Sequence, residues 1–165
     1  MKAVVVDAGI FIDLLQTGLL PAFISLGYKN YAPPDIVAEV KEDNRQVLID
    51  AIQTGKILAP TVEDLDHINL LNYKYRPLSY QDCTCLYMAI KESAILFTSE
   101  KQLRKIAKGQ GLEVHGILFI LDELIKVGQI SYGIAHEKLS YLIRNGTFLP
   151  IDECNKRLRS WERKW

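Results

Sequence analysis

The stretch that most limits what this chain can become is its first strand, Lys2-Ala3-Val4-Val5-Val6-Asp7. A run of small and β-branched apolar residues, closed by a carboxylate, reads as a strand buried on both faces at the centre of a parallel sheet. In open parallel sheets ligands gather at the carboxyl ends of the strands, which puts Asp7 where chemistry takes place. Asp is also a favoured helix N-cap, and the stretch alone leaves both roles open.

The rest of the chain supplies the helices such a sheet needs. Ile10 to Gln16 and Leu19 to Leu26 read as short helices, separated at Gly18. A strand over Asn30 to Ala32 is stopped by Pro33-Pro34. The pattern then predicts a helix over Asp35 to Asp43 with Ile36, Val37 and Val40 inward. A second follows over Arg45 to Thr54, burying Val47, Leu48, Ala51 and Ile52. Lys56 to Ala59 is a strand, and Pro60-Thr61 opens a helix to about Tyr73. Ser79 and Asp82 have capping-box spacing before a helix over Tyr80 to Glu92. Ala94 to Thr98 is the second clear buried strand. Ser99 and Gln102 have the same box spacing before a helix to Lys108. Leu112 to His115 is a strand, Ile117 to Lys126 an apolar helix, and Ile134 to Arg144 and Asp152 to Trp165 close the chain as helices.

Strands alternating with helices predict a three-layer α/β/α sandwich around a parallel sheet, with C-terminal helices appended. The 165 residues suit one domain over 1–165, its core at about 1–128 and the helical addition at about 129–165. No Ser/Gly linker divides the two parts. Lys+Arg and Asp+Glu balance at 20 each, which leaves binding to local patches. Three cysteines without framework spacing, and no signal peptide, suggest a cytoplasmic setting with reduced thiols. No apolar run is long enough to cross a membrane.

Four acids stand at suggestive places. Asp7 ends the first strand, Glu39 lies inside a helix with apolar residues at its neighbouring positions, and Asp82 is in a first helical turn. Glu100 follows the strand ending at Thr98. In a parallel sheet Asp7 and Glu100 stand at carboxyl ends and Asp82 can face the same edge, so their side chains can converge. Converging carboxylates repel, so such a site needs a cation. Hard oxygen donors suit Mg²⁺ or Mn²⁺ with several waters retained. That metal chemistry serves phosphodiester hydrolysis. Taken singly, Asp82 can be half of a capping box, Glu100 a first-turn acid favoured by the helix dipole, and Glu39 part of a solvated face.

The series VVVDAGIFIDL, YAPPDIVAEV, LSYQDCTCLYMA and ILFTSEKQLRKIA resembles the PIN-domain proteins, among them the VapC-like toxins of toxin–antitoxin pairs. GLEVHGILFILDELIKVGQIS and the helices after it are similar to a prokaryotic PIN-like subgroup with a helical C-terminal addition. The resemblance implies an α/β/α sandwich and a Mg²⁺- or Mn²⁺-dependent ribonuclease that uses a metal-activated water. Asp7, Glu39 and Asp82 would match the first three acids, and Glu100 would take the place of the fourth. It further implies an RNA substrate, an antitoxin protein as partner, and a homodimer. Two positions depart from the family pattern. Thr98-Ser99-Glu100 carries Glu where Asp is usual, and Gly9 stands where a hydroxyl or amide residue is common. Those departures support a second reading, a catalytically weakened PIN-fold binding module acting through a protein partner.

Lys101, Arg104, Lys105 and Lys108 share one helical face and are candidate RNA phosphate contacts. The basic tail Lys156 to Trp165 either binds RNA or docks Leu158 and Trp161 on the domain, and their i, i+3 spacing favours docking. Cys83 and Cys85 lack the partner pair a zinc site needs and read as buried thiols. His115 reads as structural.

Overall fold

The computed structural model describes residues 1–165. Its sheet has five parallel strands in the order β3-β2-β1-β4-β5. They are β1 (Ala3–Val6), β2 (Lys29–Tyr31), β3 (Ile57–Leu58), β4 (Ile95–Phe97) and β5 (Val114–His115). β1 is central, with Val5 in register with Tyr31 on one side and Leu96 on the other. Side chains alternate across a strand, so its valines divide between two cores. Val4 and Val6, with Ile95 and Phe97, pack into the larger one. Val5 and Leu96 pack into the smaller one on the opposite face. The layers are α/β/α, as the strand patterns require.

The larger core is covered by α1 (Ala8–Gln16), α2 (Leu20–Ile24), α4 (Glu42–Gln53) and α8 (Ile117–Lys126). The smaller core is covered by α5 (Leu65–Lys74), α6 (Tyr80–Lys91) and α7 (Lys101–Gly109). The C-terminal helices α9 (Tyr132–Arg144) and α10 (Ile151–Glu162) bury Ala135, Leu139, Leu142, Cys154 and Trp161 in the larger core. The tail therefore docks through Trp161, with Leu158 partly buried beside it. Arg157 fastens α10 to α8: its Nε and Nη2 donate to Asp122 at 2.7–3.2 Å. No helix is long and apolar enough to cross a membrane.

Four local expectations are corrected. The helix expected over 35–43 is one turn, α3 (Ile36–Glu39). Val40 enters the core in extended backbone, and Arg45 donates to its carbonyl at 3.1 and 3.3 Å, so the chain restarts at Glu42. On α4, Leu48 and Ala51 are buried but Val47 faces solvent. The helix expected from Pro60 begins at Leu65, where Asp64 accepts the His67 amide at 3.1 Å and sets the start. The box expected at Ser99 and Gln102 does not form, because the helix starts later and Glu100 is the N-cap. Strand and helix ends otherwise move by one to three residues. The box at Ser79 and Asp82 is complete.

Candidate active site

Register brings the site together. Val6 pairs with Phe97, so the residues just beyond the two strands, Asp7 and Thr98, become neighbours. The Asp7 amide donates to the Phe97 carbonyl at 2.9 Å. Its carboxylate does not cap α1, although Asp7 occupies the N-cap position. Instead Oδ2 accepts the Thr98 hydroxyl at 2.6 Å. The same hydroxyl oxygen accepts the Glu100 amide at 3.0 Å. One buried threonine thus holds Asp7 and fixes the backbone of Glu100.

Asp82 reaches the edge from α6. One of its oxygens, Oδ2, accepts the Ser79 amide at 3.0 Å, and the Ser79 hydroxyl accepts the Asp82 amide at 3.0 Å. This box uses Oδ2 and orients the carboxylate. Glu39 ends α3 with an exposed side chain, and Glu100 is likewise exposed at the start of α7.

The acids act on one another through their charges. Burial raises the pKa of Asp7 above the ordinary carboxylate value; the Thr98 hydrogen bond opposes this, and the charges of Asp82 and Glu100 add to it. Glu39 is also raised, by partial desolvation and then by Asp7, Asp35 and Asp82. Beneath these acids, one turn along from Asp82, the buried Cys85 thiol is pushed well up by burial and then by Asp7, Asp82 and Glu39 together. The other two cysteines, Cys83 and Cys154, are also buried and free.

None of the four acids takes part in an ion pair with Lys, Arg or His. Nor do any three acidic, His or Cys side chains stand at ligand spacing around one point. The set is therefore not a closed cage of the kind Zn²⁺ or Ca²⁺ takes. It is an open group of hard oxygen donors with uncompensated charge. That donor set fits Mg²⁺ or Mn²⁺, which bind through one or two carboxylates and keep their water.

The basic face is divided. Lys101, Lys105 and Lys108 are exposed, whereas Arg104 is half-buried and donates to the Thr98 carbonyl at 3.0 Å. Two contacts lay beyond what the sequence signals. Thr98 as the partner of Asp7 depends on strand register. The Ser99 hydroxyl lies 3.3 Å from where a Cβ on Gly9 would stand, so it fills the space that glycine leaves.

A family model described as DUF3368, PIN domain, matches residues 3–163. The endoribonuclease Nob1 of Methanocaldococcus jannaschii is 31% identical over 94 residues, covering 55% of this chain and 47% of that protein. The chain thus matches about half the length of that relative. A chain in the VapBC-1 structure from nontypeable Haemophilus influenzae has a TM-score of 0.49 and 18% identity, covering 70% of this chain and 98% of its own. Because the family model spans nearly the whole chain, from the first strand through α10, this protein belongs to the PIN-domain family.

Proposed function

We propose that the chain is a divalent-metal-dependent ribonuclease whose site is formed by Asp7, Asp82, Glu39 and Glu100. The observation that carries this reading is the group of mutually repelling acids at the carboxyl edge, none with a cationic partner. A fold keeps unpaired buried charge only at a cost, and a cation compensates that cost. Membership of the PIN family and the partial likeness to an endoribonuclease support the choice of RNA as substrate.

Asp7 and Asp82 would hold Mg²⁺ or Mn²⁺, with Glu39 and Glu100 completing the shell directly or through water. When bound, such a cation supplies a Lewis acid for the phosphate and acidifies an attacking water. Thr98 keeps Asp7 aimed and lowers its proton affinity. Ser79 holds Asp82 in one orientation. Lys101, Lys105 and Lys108 lie on the helix that begins beside Glu100 and would attract the RNA backbone. We further propose a toxin role, with an antitoxin protein as partner and a homodimer as the assembly, on the strength of the four motif segments that resemble VapC-like proteins.

One observation favours the second reading, a weakened binding module: no three donors stand at ligand spacing, and Glu100 is exposed. A single experiment separates the two. Wild type, Asp7→Asn and Asp82→Asn are titrated with Mn²⁺ by calorimetry and assayed on labelled RNA. Metal-dependent cleavage by wild type, lost with metal binding in both variants, is the expected result. Cleavage by Asp7→Asn equal to wild type would refute the assignment, and no binding or cleavage by wild type would favour the binding module.

A further inference from the structure

Beside the carboxylates lies a cleft of about 610 Å³ that the site description does not use. It opens at Ser99 and Lys101, the residues either side of Glu100, and runs between the ends of β4 and β5 and the turn joining α9 to α10. Its size is that of a small-molecule site. What lines it is unusual for a solvated surface.

One wall is a stacked pair. The His115 and Phe119 rings are 3.7 Å apart and 9° from parallel. The Arg104 guanidinium lies next to them, donating to the Thr98 carbonyl. It passes over Gly116, where a Cβ would stand 3.2 Å from Nη1, so glycine gives it room.

The other wall carries Phe148, which is 86% exposed. It is not on a loose segment. The Thr147 amide donates to the Leu142 carbonyl at 3.1 Å, and the Thr147 hydroxyl donates to buried Asp13 at 3.3 Å. Leu149 on the other side packs against the core. The turn is thus anchored on both flanks while an aromatic ring is held out at the rim. Phe148 thus shares one cleft with the His115–Phe119 pair, and together the three rings form an aromatic patch that an occupant would cover.

Charge selects the occupant. Lys101 at the mouth is exposed and makes no ion pair, whereas Arg157 is held by Asp122 and Glu153 and Arg104 by the Thr98 carbonyl, so Lys101 is the free cation of the lining. Flat aromatic and guanidinium surfaces with a free cation at a phosphodiester-cleaving edge suit an unpaired nucleotide. A base inside a duplex has no face to offer them. A partner protein segment is the competing occupant, and it would be served as well by an aliphatic side chain at residue 148 as by an aromatic one.

Building on the RNA reading above, we infer that this cleft is a subsite for one unpaired nucleotide of single-stranded RNA, its base against Phe148 and the His115–Phe119 stack and its phosphate at Lys101.

The test measures binding without cleavage. Fluorescence anisotropy of a labelled oligouridylate, in EDTA, is followed for wild type, Phe148→Ala, Phe148→Leu and Phe148→Tyr. Loss of a stacked base weakens binding by roughly 5- to 150-fold. That loss is expected for both Ala and Leu, with Tyr within about twofold of wild type. A duplex of the same length should bind without regard to residue 148. Full affinity in Phe148→Ala, failure of wild type to bind the oligomer, or an equal loss on the duplex would overturn the subsite. Retention in Phe148→Leu would also overturn it and point to an apolar protein segment instead. Failures remain distinguishable: RNA cleaved by a protein whose binding ignores Phe148 refutes the subsite alone. Binding through Phe148 without any metal-dependent cleavage refutes the nuclease reading alone.

Discussion

Replacing Asp13 with Asn is predicted to stabilise the protein at neutral pH, by an amount that vanishes in acid. Asp13 lies on the buried side of α1 and is 5% exposed. Its one side-chain partner is the Thr147 hydroxyl at 3.3 Å, a long hydrogen bond. Burial raises its pKa from 3.8 to about 6, and Thr147 offsets that only in part. The folded state therefore binds a proton more tightly than the unfolded chain, and stability falls as pH rises through that interval. Its favourable contribution is fully present below about pH 4 and gone above about pH 6. At about 1.4 kcal/mol per pH unit, the ionised carboxylate costs the fold about 2–3 kcal/mol.

Asn has nearly the same shape, accepts the same Thr147 hydrogen bond, and never ionises. Asp13→Asn should gain about 2–3 kcal/mol above pH 7 and almost nothing near pH 4. For a domain of this size that is a rise in Tm of roughly 5–10 °C. Urea unfolding of both proteins across this pH range measures it. A gain independent of pH would show that the carboxyl is not the cause. A loss at neutral pH would refute the reasoning, since it would mean that the ionised group stabilises the contact with Thr147.

Two further predictions concern the acid site. Thr98→Val keeps the shape but strips Asp7 of the hydrogen bond that lowers its pKa, and it leaves the Glu100 amide without its acceptor. The acidic limb of the cleavage profile should move to higher pH, and stability should fall by about 1.5–3 kcal/mol; an unmoved limb would show that Thr98 does not tune Asp7. Mn²⁺ at about a hundred times its Kd should stabilise wild type by about 2.7 kcal/mol, read as a thermal shift. The shift should persist in Asp13→Asn and disappear in Asp7→Asn, because only Asp7 lies among the other acids; equal shifts in all three proteins would place the metal elsewhere.

The sheet was legible because two of its strands, β1 and β4, obey one simple demand. A strand buried on both faces must be apolar throughout, and Val4-Val5-Val6 and Ile95-Leu96-Phe97 meet it without exception. The box at Ser79 and Asp82 was legible from spacing because nothing else competes for those groups. The same spacing at Ser99 and Gln102 misled, since α7 begins one residue later and Glu100, not Ser99, is its N-cap. That start follows from where β4 ends in the sheet, which spacing along the chain does not encode. The break at Val40 has the same origin: a tertiary demand for its side chain overrode helical periodicity.

Asp7 and Asp13 show where the remaining boundary lies. Both are acids in VVVDAGIFIDL, and both end up buried with a threonine as their hydrogen-bond partner. Asp13 could have been found, since Ile10, Asp13, Leu14 and Thr17 fall on one helical stripe, and a lone acid among apolar positions announces a buried charge. What sequence does not give is what each carboxylate meets. Asp13 meets only Thr147, 134 residues away, in the turn that also presents Phe148. Asp7 meets Thr98 together with the charges of Asp82 and Glu100. A buried acid that faces one hydroxyl is relieved by a proton. A buried acid that faces other acids is relieved by a cation, and that difference in company makes one a liability to the fold and the other a candidate ligand.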